Sequence, residues 1–214
     1  MPFSKTVIIS CAGVGSRLGL GQTKALLPLQ GRPLLHWHLD MLRDVEDVRV
    51  VVGFQANEVI KAALEVRKNT TFVFNHNYFH TKTAASVSLA CRYAHEAVFL
   101  LDGDMIIHPD DMARCLTQKE PFVGVAAPSS QECVYVQTMG EYVERFSRRS
   151  GTLEWIGPAL LPRDIFSCVS DEHVYEVIEK ILPLPYIKVR AMDIDTLQDY
   201  ERAQVFFKEW SLEC

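Results

Sequence analysis

Lys5-Thr6-Val7-Ile8-Ile9-Ser10-Cys11 runs without a break into Ala12-Gly13-Val14-Gly15-Ser16-Arg17-Leu18, and the reading of this junction decides the fold. Residues 5–11 are apolar and rich in β-branched side chains, the composition of a strand buried on both faces. Gly13 and Gly15 then let backbone N–H groups approach an anion with no Cβ in the way. Arg17 adds a planar fork matched to phosphate oxygens, and Lys24 a compact point charge. A strand emptying into such a loop places it at the carboxyl edge of a sheet, where open α/β folds bind ligands, and reads as a polyphosphate site. A plain turn with two solvated cations is the competing reading, and a lone G-x-G does not exclude it.

Two familiar nucleotide motifs fail on these residues. A dinucleotide fingerprint needs a third glycine where Leu18 stands, and an acidic residue at the end of the second strand, where Val52-Gly53-Phe54 offers none. A Walker-type loop needs Gly-Lys followed by Ser or Thr, but Lys24 lies between Thr23 and Ala25.

Outward from the loop, strand and helix signals alternate. Pro33 suits an early helical position, with a helix to about residue 43. Residues 48–53 read as a strand, and Asn57 as the cap of a helix to about 66. Residues 71–75 form a third strand, and the polar loop 75–83 leads into a helix over 84–95. Residues 97–101 form a fourth strand, and Pro109 opens the next helix. Such alternation implies right-handed crossovers and a mostly parallel sheet between helical layers. Beyond residue 120 the texture changes to short strands at 122–127, 133–138, 142–146 and 152–156. A helix at 171–181, a strand at 186–192 and a terminal helix at 196–210 complete the chain. The expected fold is a three-layer α/β/α domain over 1–214 with a Rossmann-like mixed sheet and a small antiparallel insertion.

Composition sets the bounds. With 214 residues, 48% hydrophobic and 23% charged, the chain can bury one sizeable core. A net charge of −5 excludes a general nucleic-acid binder, so an anion must be captured by local cations. Six scattered cysteines show no paired C-x-x-C spacing, which favours reduced thiols over zinc or disulfides. No signal peptide and no membrane span are read, and a cytoplasmic location is expected.

Asp102-Gly103-Asp104 ends an apolar strand with two carboxylates that repel unless a cation neutralises them. Mg²⁺ is the natural ion where phosphates share the coordination, while an Asp-Gly turn is the plainer alternative. Asp193-Ile194-Asp195-Thr196 holds a second pair just before the terminal helix, where Asp195 could equally be the N-cap. Ser86, near the start of a helix with Asn75, Asn77 and Lys82 around it, could read a base edge or simply cap the first turn. Arg145, Arg148 and Arg149 could hold an acceptor phosphate, with a solvated hairpin edge the plainer reading. His36 and His38 read as surface or packing residues, and the alternating strand around Trp155 suits core packing.

The ordered set of Ala12-Gly13-Val14-Gly15-Ser16-Arg17-Leu18, Thr23-Lys24-Ala25-Leu26-Leu27-Pro28 and Gly31-Arg32-Pro33-Leu34-Leu35 resembles the signature of nucleotidyltransferases with a GT-A-like fold. That family includes sugar-1-phosphate nucleotidyltransferases and cytidylyltransferases for phosphocholine or aminoalkylphosphonates; segment 75–89 looks most similar to the latter branch. The resemblance implies an NTP, with CTP favoured, and a small phosphate- or phosphonate-bearing acceptor. It implies Gly13, Gly15 and Arg17 at the β- and γ-phosphates, with Ala12 and Ser16 in the same loop. Lys24 falls on the α-phosphate, Asp104 and Asp195 on Mg²⁺ with Asp102 beside the nucleotide, and Ser86 near the base. Arg17 and Lys24 are the catalytic residues on this reading, and a monomer or homodimer is expected. A silent nucleotide-binding regulatory module is the alternative of another class. The family usually carries Pro-Lys where this chain has Thr23-Lys24. Thr lacks proline's fixed φ, so the loop is expected to order around substrate.

Overall fold

The computed structural model describes residues 4–15, 18–19, 21–129, 133–169 and 171–213. The chain begins with β1 (Lys5–Cys11), then a short hairpin of β2 (Pro28–Leu29) and β3 (Arg32–Pro33), and α1 (Leu34–Met41). Next come β4 (Asp47–Val52), α2 (Ala56–Val66), β5 (Thr71–Phe74) and α3 (Thr83–Ala90). β6 (Ala97–Asp102), β7 (Met105–Ile107), α4 (Pro109–Leu116) and β8 (Phe122–Ala126) follow. The last part holds β9 (Val134–Met139), β10 (Tyr142–Ser147), β11 (Leu153–Pro162), α5 (Val174–Ile178), β12 (Leu184–Lys188), β13 (Ala191–Asp193) and α6 (Leu197–Glu213).

Among the described residues nine of these strands build one sheet in the order β5-β4-β1-β6-β11-β8-β12-β10-β9, and β2–β3 and β7–β13 form two small pairs. Its first half is parallel, β1 lying between β4 and β6 with Ile8 opposite Arg49 and Leu100. Period-2 alternation sends Val7, Ile9 and Cys11 to a core shared with Leu35, Val59 and Met112, whereas Ile8 meets Val87 and Phe166 on the other face. Helices α1, α2 and α4 thus cover one face, and α3 and α5 the other. The expected three-layer architecture is present. The antiparallel strands are not set apart, however: β11 pairs with β6 and β8, and its start also pairs with β9, so they continue the same sheet.

Several boundaries differ from those the sequence predicts, each for a local reason. The strand expected to end at 156 runs on as β11 to Pro162, because a register shift between Trp155 and Ala159 absorbs Gly157 and Pro158. The strand expected at 186–192 is two strands: the chain leaves the main sheet at Val189, and Arg190 is pinned by its N–H and Nε donating to Asp111 Oδ2 at 2.8 and 2.9 Å. β13 then pairs with β7, a three-residue strand with no sequence signal. α3 stops at Ala90 and not near residue 95, where Arg49 donates to the carbonyls of Ala90, Arg92 and Tyr93 and so satisfies a helix C-terminus. Asn57 is not the cap of α2; Gln55 holds that position at φ 51.

His36 and His38 are both buried packing residues with partners. His36 Nε2 lies 3.0 Å from the Ala62 carbonyl, and His38 Nε2 lies 2.8 Å from the Met105 carbonyl. Burial pulls the His38 pKa down to about 4 from 6.5. In the unfolded chain this imidazole takes a proton near pH 6.5, but in the fold only near pH 4. Its stabilising contribution is therefore complete above pH 6.5 and is lost as pH falls towards 4, to the extent of roughly 3 kcal/mol. Urea unfolding at about pH 5 and about pH 7.5 measures this, and His38→Gln is expected to flatten the dependence. An unchanged pH slope in that variant would refute the assignment.

Candidate active site

A cleft of about 350 Å³ opens where β1 and β6 end. The two strands reach it in register because Gly103 N donates to the Ser10 carbonyl at 3.0 Å. Only glycine fits there: a Cβ on Gly103 would sit 2.6 Å from Cys11 Sγ and 2.7 Å from Ser10 O. On the other side, Phe54 N donates to Ala12 O at 3.1 Å and fixes the start of the glycine loop.

Ala12, Gly13 and Gly15 line the cleft, together with Lys24 from the next turn. Gly15 has φ 64, and a Cβ there would press on Lys24 Cγ at 3.1 Å, so this glycine also makes room for the lysine stem. Ser16 and Arg17, the remaining residues expected in this loop, lie outside the described residues.

Lys24 is the centre of the site. Its ammonium donates to Asp104 Oδ2 at 2.7 Å and to Asp195 Oδ1 at 2.6 Å, across sequence separations of 80 and 171. Burial works against the charge, but Asp104 and Asp195 more than offset it and hold the Lys24 pKa above its ordinary value. The β7–β13 pairing brings the aspartates together, with Ile194 N donating to Asp104 O at 2.9 Å. Asp195 is not the cap of α6. Thr196 and Asp199 form a reciprocal box, Asp199 N to Thr196 Oγ1 at 3.2 Å and Thr196 N to Asp199 Oδ2 at 2.9 Å, which leaves Asp195 to face Lys24.

Asp102 and Asp193 line the same cleft as this ion-paired lysine and add two further carboxylates to its acidic side. Burial, then the charge of Asp104, pushes the Asp102 pKa up to about 7. Asp193 is likewise raised, by burial first and then by Asp104 and Asp102, and its Oδ1 is buried with no hydrogen-bond partner. Hard oxygen donors, an orphaned carboxylate oxygen and an excess of negative charge fit a divalent cation. Among the described residues no three ligating side chains are already gathered around one point, since Lys24 bridges Asp104 and Asp195. Mg²⁺ commonly takes one or two carboxylates and completes its shell with phosphates and water, which this donor set allows.

Thr23 departs from the expectation that the loop orders only around substrate. It is buried and holds φ −63, the value proline would impose, and its N–H donates to Gln55 Oε1 at 2.8 Å. Gln55 Nε2 also reaches Gly21 O at 3.3 Å, so one side chain ties down the turn before Lys24. Gln55→Ala is expected to speed backbone hydrogen exchange across residues 21–25 by about tenfold, and Thr23→Pro in that background to restore protection. Equal exchange in wild type and Gln55→Ala would show that the clamp carries no weight.

Ser86 lines the cleft near the N-terminus of α3, and its hydroxyl accepts from Asn75 Nδ2 at 3.0 Å. Asn75 also donates to Thr81 Oγ1 and accepts from Asn77 N, which orders the loop before the helix. One wall of the cleft has no counterpart among the sequence motifs. It comes from the antiparallel strands and α5: Val134, Trp155, His173 and Tyr175 line the cleft. Of Arg145, Arg148 and Arg149, Arg148 alone lines it, whereas Arg145 donates to Gln137 on an exposed face and Arg149 is exposed. Trp155 packs on Phe146, as its strand context predicts, and it also faces the cleft. Alternation along one strand cannot reveal a wall whose members lie far apart in sequence.

Residues 7–182 match the MobA-like NTP transferase domain. The chain belongs to that family. Over 120 residues it is 32% identical to a CMP-5'-(3-aminopropyl)phosphonate synthase of Streptomyces rubellomurinus, a match covering 53% of this chain and 19% of that relative. The chain thus spans well under two-thirds of that protein's length. Among solved structures, the inositol-1-phosphate CTP transferase of T. maritima superposes with a TM-score of 0.77 at 19% identity over 96% of both chains. A CTP:phosphocholine cytidylyltransferase of Streptococcus pneumoniae gives 0.74 at 18% identity, covering 94% of this chain and 98% of that one. At such identities these likenesses establish the NTP transferase fold, a mixed sheet between helices. No helix among the described residues is long and apolar enough to cross a membrane, and the described cysteines are free thiols.

Proposed function

We propose that this NTP transferase moves CMP from CTP to a small acceptor bearing a phosphate or phosphonate and releases pyrophosphate. The observation that carries the reading is Lys24, clamped between Asp104 and Asp195 beside the Gly13–Gly15 loop. A cation among carboxylates at a phosphate loop is the equipment of phosphoryl chemistry, where positioning and charge neutralisation supply the rate.

An acceptor oxygen forms a bond to the α-phosphorus as the bond from that phosphorus to the bridging oxygen breaks, and pyrophosphate leaves with the electron pair. The acceptor is already anionic, so the site needs no strong general base. Gly13, Gly15, Ala12, Ser16 and Arg17 cradle the β- and γ-phosphates, and Lys24 turns from its aspartates to the α-phosphate. Asp104 and Asp195 would hold Mg²⁺, with Asp193 and Asp102 beside them, and the ion would supply charge neutralisation. Ser86, held by Asn75, lies by the base. Free thiols favour a reducing compartment, and we assign the cytoplasm.

Cytidine is favoured because the relatives and neighbours with the stated similarity include proteins named for CMP or CTP. Pyrophosphate release measured for each of four NTPs against 2-aminoethylphosphonate, phosphocholine and a sugar 1-phosphate tests it. Release with CTP and the phosphonate is the expected result. Turnover confined to a sugar 1-phosphate with another NTP would move the assignment to NDP-sugar synthesis, and NTP binding with no release would leave a silent binding module.

A further inference from the structure

We propose that Arg148 holds the acceptor's phosphate or phosphonate group and, by lying over Tyr175, denies the cleft an aromatic cage, so that acceptors with a trimethylammonium head are turned away. The inference rests on the transferase reading above and names the acceptor class for that site.

Two polyanions must meet in this reaction, and each needs its own cation. Among the described residues that line the cleft, the basic side chains are Lys24, Arg148 and His173. Lys24 belongs to the aspartate cluster and the α-phosphate. The His173 pKa is lowered, by burial first and then by the nearby Lys82, which favours its neutral form. The permanent charge at the acceptor end is therefore Arg148, whose fork suits the non-reacting oxygens of a phosphate or phosphonate.

The same residue decides what the acceptor's other end can be. The Arg148 guanidinium lies 5.4 Å from the Tyr175 ring centroid. The His173 ring stacks on Tyr175 at 5.5 Å and 16°, and Phe146 meets Tyr175 and Trp155 edge-on at 5.9 and 6.1 Å. A trimethylammonium group has no hydrogen to donate and depends on open aromatic faces or a carboxylate. Tyr175 already carries a cation, and the described carboxylates lining the cleft all belong to the Lys24 cluster. An amine or hydroxyl tail needs no cage, since it can hydrogen-bond to any acceptor, including backbone carbonyls.

The test uses pyrophosphate release from CTP with 2-aminoethylphosphonate and with phosphocholine, in wild type, Arg148→Gln and Arg148→Lys. In Arg148→Gln the acceptor KM is expected to rise about tenfold or more while the CTP KM moves less than about twofold, with partial recovery in Arg148→Lys. Wild type is expected to favour the phosphonate about tenfold in kcat/KM, and Arg148→Gln to narrow that preference. Methylphosphonate should compete with the acceptor in wild type and lose potency in Arg148→Lys, which keeps the idea testable if the Gln variant fails to fold. An unchanged acceptor KM in an active Arg148→Gln enzyme, or a wild-type preference for phosphocholine, overturns this assignment alone. Absence of pyrophosphate release by wild type with every NTP and acceptor overturns the transferase reading and this inference with it.

Discussion

Replacing Lys24 by methionine is expected to lower turnover by about 10³-fold, some 4 kcal/mol of activation free energy, with little change in thermal unfolding. The magnitude follows from what the ammonium can do at the α-phosphorus. Charge shifts towards the leaving pyrophosphate as the acceptor attacks, and a preorganised cation in a partly buried site stabilises that charge without solvent reorganisation. The fold should survive because Asp104 and Asp195 keep 29% and 23% side-chain exposure and can recover water once the lysine is gone. A second outcome is independent of turnover. In the proposed mechanism Lys24 and a divalent cation compete for the same two carboxylates, so Lys24→Met should bind Mn²⁺ more tightly than wild type when no nucleotide is added. Rapid-quench turnover, melting curves and a Mn²⁺ titration measure the three effects. Wild-type turnover in Lys24→Met would remove the central residue from the mechanism.

Asp104→Asn is expected to cost at least about a hundredfold in turnover and to raise the Mg²⁺ concentration needed for half-maximal rate. Chelating the divalent ion should abolish pyrophosphate release in wild type. Asp104 accepts from Lys24 directly, and its carbonyl accepts from the N–H of Ile194, the residue after Asp193. In the proposed mechanism the loss of Asp104 removes one oxygen ligand, and in the structure half of the lysine clamp. Excess divalent ion should recover part of the activity in Asp104→Asn but none in Lys24→Met, which separates ligand loss from cation loss. Equal metal dependence in wild type and Asp104→Asn would rule out Asp104 as a ligand.

The parts of the site that are continuous in sequence are legible in the amino acids alone. β1 begins and ends where its apolar run does, and the glycine loop follows because a strand buried on both faces must leave the sheet at its edge. Asp102-Gly103-Asp104 is legible for a similar reason, since paired carboxylates after an apolar strand ask for a cation. Gly103 is also required by its approach to Ser10 and Cys11, a constraint that lies between strands and leaves no mark in a single strand's pattern. β7 and the split of the late strand into β12 and β13 are not legible either. A three-residue strand has no periodicity, and the break depends on Asp111 capturing Arg190 from a distant helix.

Thr23 shows the limit most directly. Its side chain suggests a loose loop, yet the backbone adopts the proline-like angle because Gln55, on the far side of β4, accepts its N–H. Local residue type sets what the loop can do, and a contact between segments sets what it does.

The alternation of strands and helices at the start of the chain, the glycine loop, the cations and the carboxylates are properties of short stretches, and local sterics, burial and charge write them into the amino acids themselves. The meeting of Lys24 with Asp104 and Asp195, and of Arg148 with Tyr175, comes from the crossovers and the β7–β13 pairing. Side chains 80 and 171 residues apart in sequence leave no periodic signal of their contact, because only closing the sheet brings their charges within hydrogen-bonding range.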